Sequence, residues 1–254
     1  VPTAGSLFSG IGGLDLGLER AGWEVKWQVE INEWCRKILT KHWPDVPKYG
    51  DIKEASGEEL EAVDLIAGGF PCQPVSLAGR RKAEADPRWL WPEFLRIVSE
   101  VRPQYVLVEN VPGLLHRGMA EVIGDLSSCR YDAEWGFLSA ADVGAPHLRQ
   151  RVFVVAHTQG LTGQDGPAEA ERQRGLAGSG DTDAYSDSQS PFRTPITREE
   201  RNPWSVEPDV GRVAHGVPSR VDRLRGLGNA VVPQVAEWIG QRILEESLLG
   251  ESDG

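Results

Sequence analysis

The chain has 254 residues, of which 40% are hydrophobic and 26% charged, values near the globular average that exclude a wholly disordered chain or a coiled coil. No run of about 18 uncharged apolar residues occurs, which excludes a helical membrane span. With 27 Lys and Arg against 38 Asp and Glu, the net charge of -11 argues against a protein that coats nucleic acid without regard to sequence, while leaving room for a local basic cleft.

The length fits one large domain, or one domain and a small lobe, at about 150 residues per domain. Three scattered cysteines show no C-x-x-C spacing, so neither a disulfide framework nor a zinc site is expected, and no metal is assigned. The N-terminal stretch lacks the basic and apolar regions of a signal peptide, and the expectation is a cytoplasmic protein without membrane association.

Up to about residue 157, short apolar runs alternate with helix-periodic stretches, the pattern of an α/β domain whose mostly parallel sheet is joined by crossover helices. Strands are expected at 5–9, 24–30, 63–67, 104–109, 131–138 and 151–157, and helices at 14–21, 33–42, 91–101 and 119–127. Glu30, Cys72 and Glu109 then fall at or just past strand ends, the edge where open α/β sheets place their ligands.

The first strand runs into Phe8-Ser9-Gly10-Ile11-Gly12-Gly13, whose glycines allow close backbone approach and whose following helix offers free N–H groups. A dinucleotide fingerprint would place its third glycine at position 15, where this chain has Asp15, so a nicotinamide enzyme is disfavoured. Glu30 can accept hydrogen bonds from both hydroxyls of a ribose, and Asp51 of Gly50-Asp51-Ile52 can meet an adenine amino group. Taken singly, these residues read equally well as a turn loop, a solvent-facing acid and an N-cap; only together do they favour a nucleoside pocket.

The segment Gly68-Gly69-Phe70-Pro71-Cys72-Gln73-Pro74-Val75-Ser76 leaves the third expected strand, with prolines limiting the directions in which Cys72 can point. A nucleophilic Cys72 needs a positive neighbour, a helix N-terminus or a hydrogen bond that stabilises thiolate. Cys35 and Cys129 read as packing residues. The run Tyr105 to Val108 ends in Glu109-Asn110-Val111, bringing a carboxylate to the same edge. Beside an apolar strand its pKa can rise so that it donates a proton; alternatively it is N-cap-like or salt-bridged. Arg149 and Arg151, spaced i, i+2 before a strand, share one face and can hold an anion or a base carbonyl, unless they are two solvated charges. Arg80, Arg81, Lys82 and Arg88 form a local basic face.

From 158 to 202 the composition turns to Gly, Asp, Ser, Thr, Gln and Arg, too poor in apolar residues to build a core. An amphipathic pattern returns over 231–249, with Val231, Val235, Trp238, Ile239, Ile243 and Leu244 on one face, before a short tail.

Together with Gly228-Asn229-Ala230-Val231-Val232-Pro233, and in this order, these segments resemble the bacterial and phage DNA (cytosine-5)-methyltransferases over most of residues 4–157 and 223–245. The resemblance implies a Rossmann-like S-adenosylmethionine-dependent methyltransferase fold with a small irregular target-recognition lobe. Residues 1–157 would be the catalytic and cofactor-binding domain, 158–222 the recognition region, 223–249 a segment and helix returning to the first domain, and 250–254 a tail.

By the same resemblance, Phe8, Gly10, Ile11, Gly12 and Gly13 would surround the methionine and adenosine of S-adenosyl-L-methionine, with S-adenosyl-L-homocysteine as product. Glu30 would take the ribose, with Ile31 beside it, and Asp51 and Ile52 the adenine. Pro71 and Trp91 would line the pocket, and Asn229, Ala230 and Val231 would close it. Cys72 would add to carbon 6 of a cytosine flipped out of double-stranded DNA, while Glu109 would hold and protonate ring nitrogen 3. Arg151 would contact the base carbonyl and Arg149 support the loop; Gln73, Ser76, Arg80, Arg81 and Arg88 would face the DNA. A monomer is expected, with a cognate restriction endonuclease as a further partner.

The chain departs from the family at Ser6, where Asp is common, and at His147, where Gln is usual. It holds no clear copy of the arginine-bearing motif that scaffolds the recognition domain; Arg220-Val221-Asp222-Arg223-Leu224 is its substitute, and Trp204, Arg212 and His215 are candidate lobe contacts. Two other readings stay open. The related tRNA cytosine-5 methyltransferases usually carry Pro-Pro-Cys-Gln, where this chain has Phe70-Pro71-Cys72-Gln73. A catalytically silent DNA-binding homologue would not need the intact set Cys72, Glu109 and Arg151.

Overall fold

The computed structural model describes residues 1–71, 89–116, 118–158 and 220–251. The expectations placed on Cys72, Gln73, Ser76, Arg80, Arg81 and Arg88, and on nearly all of 158–222, lie outside the described residues.

In chain order the elements are β1 (Thr3–Leu7), α1 (Gly13–Ala21), β2 (Glu24–Val29), α2 (Glu33–His42), β3 (Lys48–Tyr49), β4 (Leu65–Gly68), α3 (Trp91–Val101), β5 (Tyr105–Asn110), α4 (Met119–Ser128), β6 (Tyr131–Leu138), β7 (Arg151–Thr158), α5 (Arg220–Asn229) and α6 (Pro233–Glu251). Short 3-10 turns cover Pro112–His116 and Ala141–Val143. The sheet has seven strands in the order β3-β2-β1-β4-β5-β7-β6. Its first five strands run parallel, and β7 lies antiparallel between β5 and β6. The sheet is thus mostly parallel and Rossmann-like, and chain order reverses between β1 and β4, the switch point where such sheets bind ligands. Because β7 is antiparallel, its first residue, Arg151, arrives at the same edge as the last residues of the parallel strands.

Both faces of the sheet are covered, so strands bury side chains in both directions. Along β5, Val106 and Val108 join α3 and α4 residues such as Phe94, Ile97, Val122 and Leu126. Their neighbours Tyr105 and Leu107 join Leu14 and Leu18 of α1 and Val235, Ile239 and Ile243 of α6. The period of two along the strand thus serves two helical layers at once.

The C-terminal helix is drawn against α1 by glycine. A Cβ on Gly17 would lie 2.3 Å from the Pro233 carbonyl oxygen and 2.4 Å from the Ala236 Cβ, and one on Gly240 would lie 2.9 Å from the Ala21 Cβ. The expected final helix begins at Pro233 rather than 231, since proline suits the first helical turn, where its missing N–H has no partner to lose. The helix α5 was not foreseen, and it runs across the domain boundary expected at 222/223. The two-residue β3 was also missed, being too short to show a period. Among the described residues, no helix is long and apolar enough to cross a membrane.

Position 15, where a dinucleotide fingerprint would place glycine, holds a buried carboxylate. Asp15 is fully buried, accepting a hydrogen bond from Ser6 Oγ at 3.1 Å and one from Gln28 Nε2 at 2.7 Å, so a carboxylate ties α1 to β1 and β2. Ser6 supplies a hydroxyl donor where an Asp would add a second buried carboxylate. Burial pushes the Asp15 carboxyl from 3.8 up to about 6, against the pull of Gln28 and Ser6. The folded state therefore holds a proton that the unfolded chain has released. This contribution to stability is complete below the unfolded value and is lost as pH rises through about 6. Asp15→Asn keeps both hydrogen bonds, its amide donating to Ser6, and has no charge to desolvate. Its stability relative to the parent is expected to rise by on the order of 2–3 kcal/mol between pH 4 and pH 7. Denaturant melts at the two pH values read this directly; parallel pH dependences would contradict it.

Candidate active site

The glycine loop sits at the end of β1, at the switch point. Phe8, Gly10 and Gly12 take positive φ values of 54°, 57° and 85°, which turn the chain tightly into α1. Phe8 alone bears a side chain in this conformation, and its ring stacks on Phe94 with centroids 6.5 Å apart. Among the described residues, no side chain caps α1.

Glu30, one residue past β2, is no free surface acid. Its Oε2 accepts the Gly10 N–H at 2.8 Å and its Oε1 the Asn32 N–H at 2.7 Å. Asn32 in turn caps α2 through the Cys35 N–H, and Arg36 Nη1 holds the carbonyls of Glu30 and Ile31 at 2.7 and 2.8 Å. Each carboxylate oxygen retains a second acceptor site, so the pair can meet two hydroxyls while still fixed to the loop. Ile31, 67% exposed, offers an apolar surface beside it.

Beyond β3, Asp51 opens a turn: its side chain accepts the Lys53 N–H at 3.0 Å and its carbonyl the N–H groups of Glu54 and Ala55. Ile52 is only 3% exposed, its side chain belonging to the core. Trp91, expected beside the cofactor, has no exposed surface; its indole N–H donates to Asp125 Oδ2 at 2.9 Å and its ring packs on Phe70 and Phe94.

The acidic end lies across the edge. Glu109, 9% exposed, receives Arg151 Nε at 3.0 Å on Oε1. Burial pushes its carboxyl above the usual range, while Arg151 and Arg149 pull it back. A Cβ on Gly69 would fall 2.5 Å from Glu109 Oε2, so the carboxylate can occupy this position only over a glycine. Asn110 Nδ2 donates to the Phe70 carbonyl at 3.1 Å, fixing the backbone that leads to Pro71 and Cys72. Pro71 is exposed at the end of this stretch. Phe70 and Trp89 meet edge to face with centroids 5.1 Å apart, and the Trp89 indole N–H reaches Glu121 at 3.1 Å. The chain on both sides of 72–88 is thereby brought together.

The two arginines meet different partners. Arg149 precedes β7 with a φ of 39°, outside the strand alternation on which the i, i+2 reading rested. Its Nη2 donates to the carbonyls of Gly228 at 2.8 Å and Ala230 at 2.5 Å, while its charge still acts on Glu109. These bonds hold the segment containing Asn229, Ala230 and Val231 near the glycine loop. A Cβ on Gly13 would lie 2.3 Å from the Val231 carbonyl oxygen, and one on Gly226 would lie 2.8 Å from the Trp34 ring and 3.0 Å from Ile11 Cγ2.

Sequence reasoning missed Gly69, Trp89 and the Asn110 bridge. The paired glycines beside a strand end were the one signal available for the first; the other two depend on contacts across the fold.

Fold and site define a Rossmann-like α/β protein in which a glycine loop, a carboxylate tied to it and a buried carboxylate–arginine pair lie along one sheet edge. The family model for C-5 cytosine-specific DNA methylase matches residues 3–198, and the chain belongs to that family. It is 36% identical over 200 residues to the Type II methyltransferase M.AquIA of Picosynechococcus, a match covering 68% of this chain and 81% of that protein. With the Type II methyltransferase M.NgoFVII of Neisseria gonorrhoeae it shares 35% identity over 157 residues, spanning 59% of this chain and only 42% of the relative. Among solved structures, Spodoptera frugiperda DNMT2 superposes with a TM-score of 0.55 at 25% identity, covering 64% of this chain and 51% of that one.

Proposed function

We propose that the chain transfers a methyl group from S-adenosyl-L-methionine to carbon 5 of a cytosine flipped out of double-stranded DNA. The observation that carries this reading is the placement of Glu109. A buried carboxylate, paired with Arg151 and seated over Gly69, shares a sheet edge with a glycine loop tied to Glu30.

The residues fit the cofactor. Glu30 offers two free acceptor sites to a ribose diol, Ile31 an apolar face, Asp51 a carboxylate at the neighbouring strand end, and Gly10, Gly12 and Gly13 a backbone without side-chain obstruction. S-adenosyl-L-methionine supplies an electrophilic methyl group and leaves as S-adenosyl-L-homocysteine. Glu109, its carboxyl raised by burial, donates a proton to ring nitrogen 3 as the Cys72 sulfur forms a bond to carbon 6. Carbon 5 then carries the electron density that takes the methyl group. Loss of its proton to water and expulsion of the Cys72 thiolate restore the aromatic ring, and nitrogen 3 returns its proton to Glu109. Arg151 fixes the carboxyl and lies where a base carbonyl can be held.

Residues 158–222 are proposed as the target-recognition region, with Gln73, Ser76, Arg80, Arg81 and Arg88 toward DNA, and the protein as a cytoplasmic monomer that can be paired with a restriction endonuclease. Cys72→Ser is expected to abolish methyl transfer and the covalent complex with duplex DNA containing 5-fluorocytosine, in which carbon 5 has no proton to lose, while S-adenosyl-L-homocysteine binding persists. Retained trapping by the variant would contradict the role of Cys72.

A further inference from the structure

The loop between β3 and β4 is held from outside by α3. Arg96 Nη2 donates to two carbonyls of this loop, Ile52 at 2.7 Å and Ala55 at 3.0 Å. The rest of the guanidinium is braced on its own helix: Nε on Glu93 Oε2 at 2.9 Å, and Nη1 on both oxygens of Glu100 at 3.0 and 3.1 Å. Glu100 then reaches back to the loop, its Oε2 accepting the Gly57 N–H at 2.7 Å. Gly57 can come so close because a Cβ there would lie 2.4 Å from the Glu100 Cβ. One planar fork thus binds the loop at 52 and 55, and its carboxylate partner binds it at 57.

The turn held in this way begins at Asp51, whose carbonyl accepts the N–H groups of Glu54 and Ala55 and whose carboxylate accepts the Lys53 N–H. Ile52 and Ala55 are buried at 3% and 5% exposure in the core that α3 helps to form. Arg96 of α3 thus fixes the Ile52 and Ala55 carbonyls of the buried turn that Asp51 opens. Lysine cannot replace it, having a single nitrogen where two loop carbonyls and two carboxylates are served by a rigid fork.

We infer that Arg96, with Glu100, is a positioning residue that aims Asp51 at the exocyclic amino group of the adenine, and so sets the preference of the crevice for an amino purine. The inference rests on the cofactor reading given above. It concerns the discrimination between purines, a property that a loss of general stability would not alter selectively.

The test is calorimetric titration of the DNA-free protein with S-adenosyl-L-homocysteine and with S-inosyl-L-homocysteine, in which a 6-oxo group replaces the 6-amino group. The parent is expected to prefer the amino compound by about tenfold or more, since a carboxylate accepts from an amine and repels a carbonyl. Arg96→Lys and Arg96→Met are expected to lose about tenfold in affinity for the amino compound and little for the oxo compound, so that the preference collapses. Glu100→Gln, a milder change that keeps the helix and its packing, is expected to shift the preference in the same direction. Glu30→Gln, which acts on the ribose common to both ligands, is expected to weaken the two equally. A preference unchanged in the Arg96 and Glu100 variants, or an equal loss toward both ligands, would overturn the inference. Failure of the parent to bind either ligand would instead overturn the cofactor reading, and the inference with it.

Discussion

Glu109→Gln is expected to slow methyl transfer by a factor of about 10² to 10⁴, the range that a positioned proton donor contributes, with S-adenosyl-L-homocysteine affinity unchanged. The amide preserves the shape of the side chain and a hydrogen bond to ring nitrogen 3, but has no proton of suitable acidity to give. In the parent, burial raises the carboxyl and Arg151 at 3.0 Å keeps it oriented, so the amide variant removes the proton and leaves the position nearly intact. Gly69→Ala tests the position alone. The new methyl would fall 2.5 Å from Oε2, the end of a side chain that can turn away at small cost to the fold. Activity is expected to drop about tenfold or more for a displacement of this size, with thermal stability nearly unchanged. Full activity in both variants would remove Glu109 from the chemistry.

Gly17→Ala is expected to have the largest effect on stability, about 1–3 kcal/mol or more, because the added Cβ meets backbone that cannot rotate out of the way. The Pro233 carbonyl oxygen would be 2.3 Å distant and the Ala236 Cβ 2.4 Å. Relief requires α6 to move off α1, and with it the segment that Arg149 and Gly13 hold beside the glycine loop. A joint loss is therefore expected: a lower unfolding midpoint in denaturant, and weaker S-adenosyl-L-homocysteine binding measured where the variant is still folded. Reduced stability with parental ligand affinity would mean that the C-terminal segment does not close the crevice.

The fold was legible where the period of apolar residues was long enough to read. The helices Glu33–His42 and Trp91–Val101 and the strand Tyr131–Leu138 carry bounds that agree with the sequence expectation, and the alternating strands and helices give the mostly parallel sheet. The strand Lys48–Tyr49 and the helix Arg220–Asn229 were not, the first because two residues show no period and the second because half its residues are polar and two are glycines.

For the site, residue type and strand-end position brought Glu30, Glu109 and Arg151 to one edge. Spacing alone did not report that Arg149, with a positive φ, also bonds the Gly228 and Ala230 carbonyls. No local pattern reports that Trp91 is covered by Phe94 of its own helix and by Phe70 and Asp125 from two other parts of the fold. Gly69, Asn110 and Arg96 act through partners 40 or more residues away, a relation that the sequence carries only once it is folded.

The central claim is tested most directly by incubating the purified protein with methyl-labelled S-adenosyl-L-methionine and, separately, unmethylated duplex DNA and tRNA, then sequencing the products at base resolution. The expected result is label at carbon 5 of cytosine within one short DNA motif. Label on tRNA alone, or bound cofactor with no methylated product on either substrate, would contradict it.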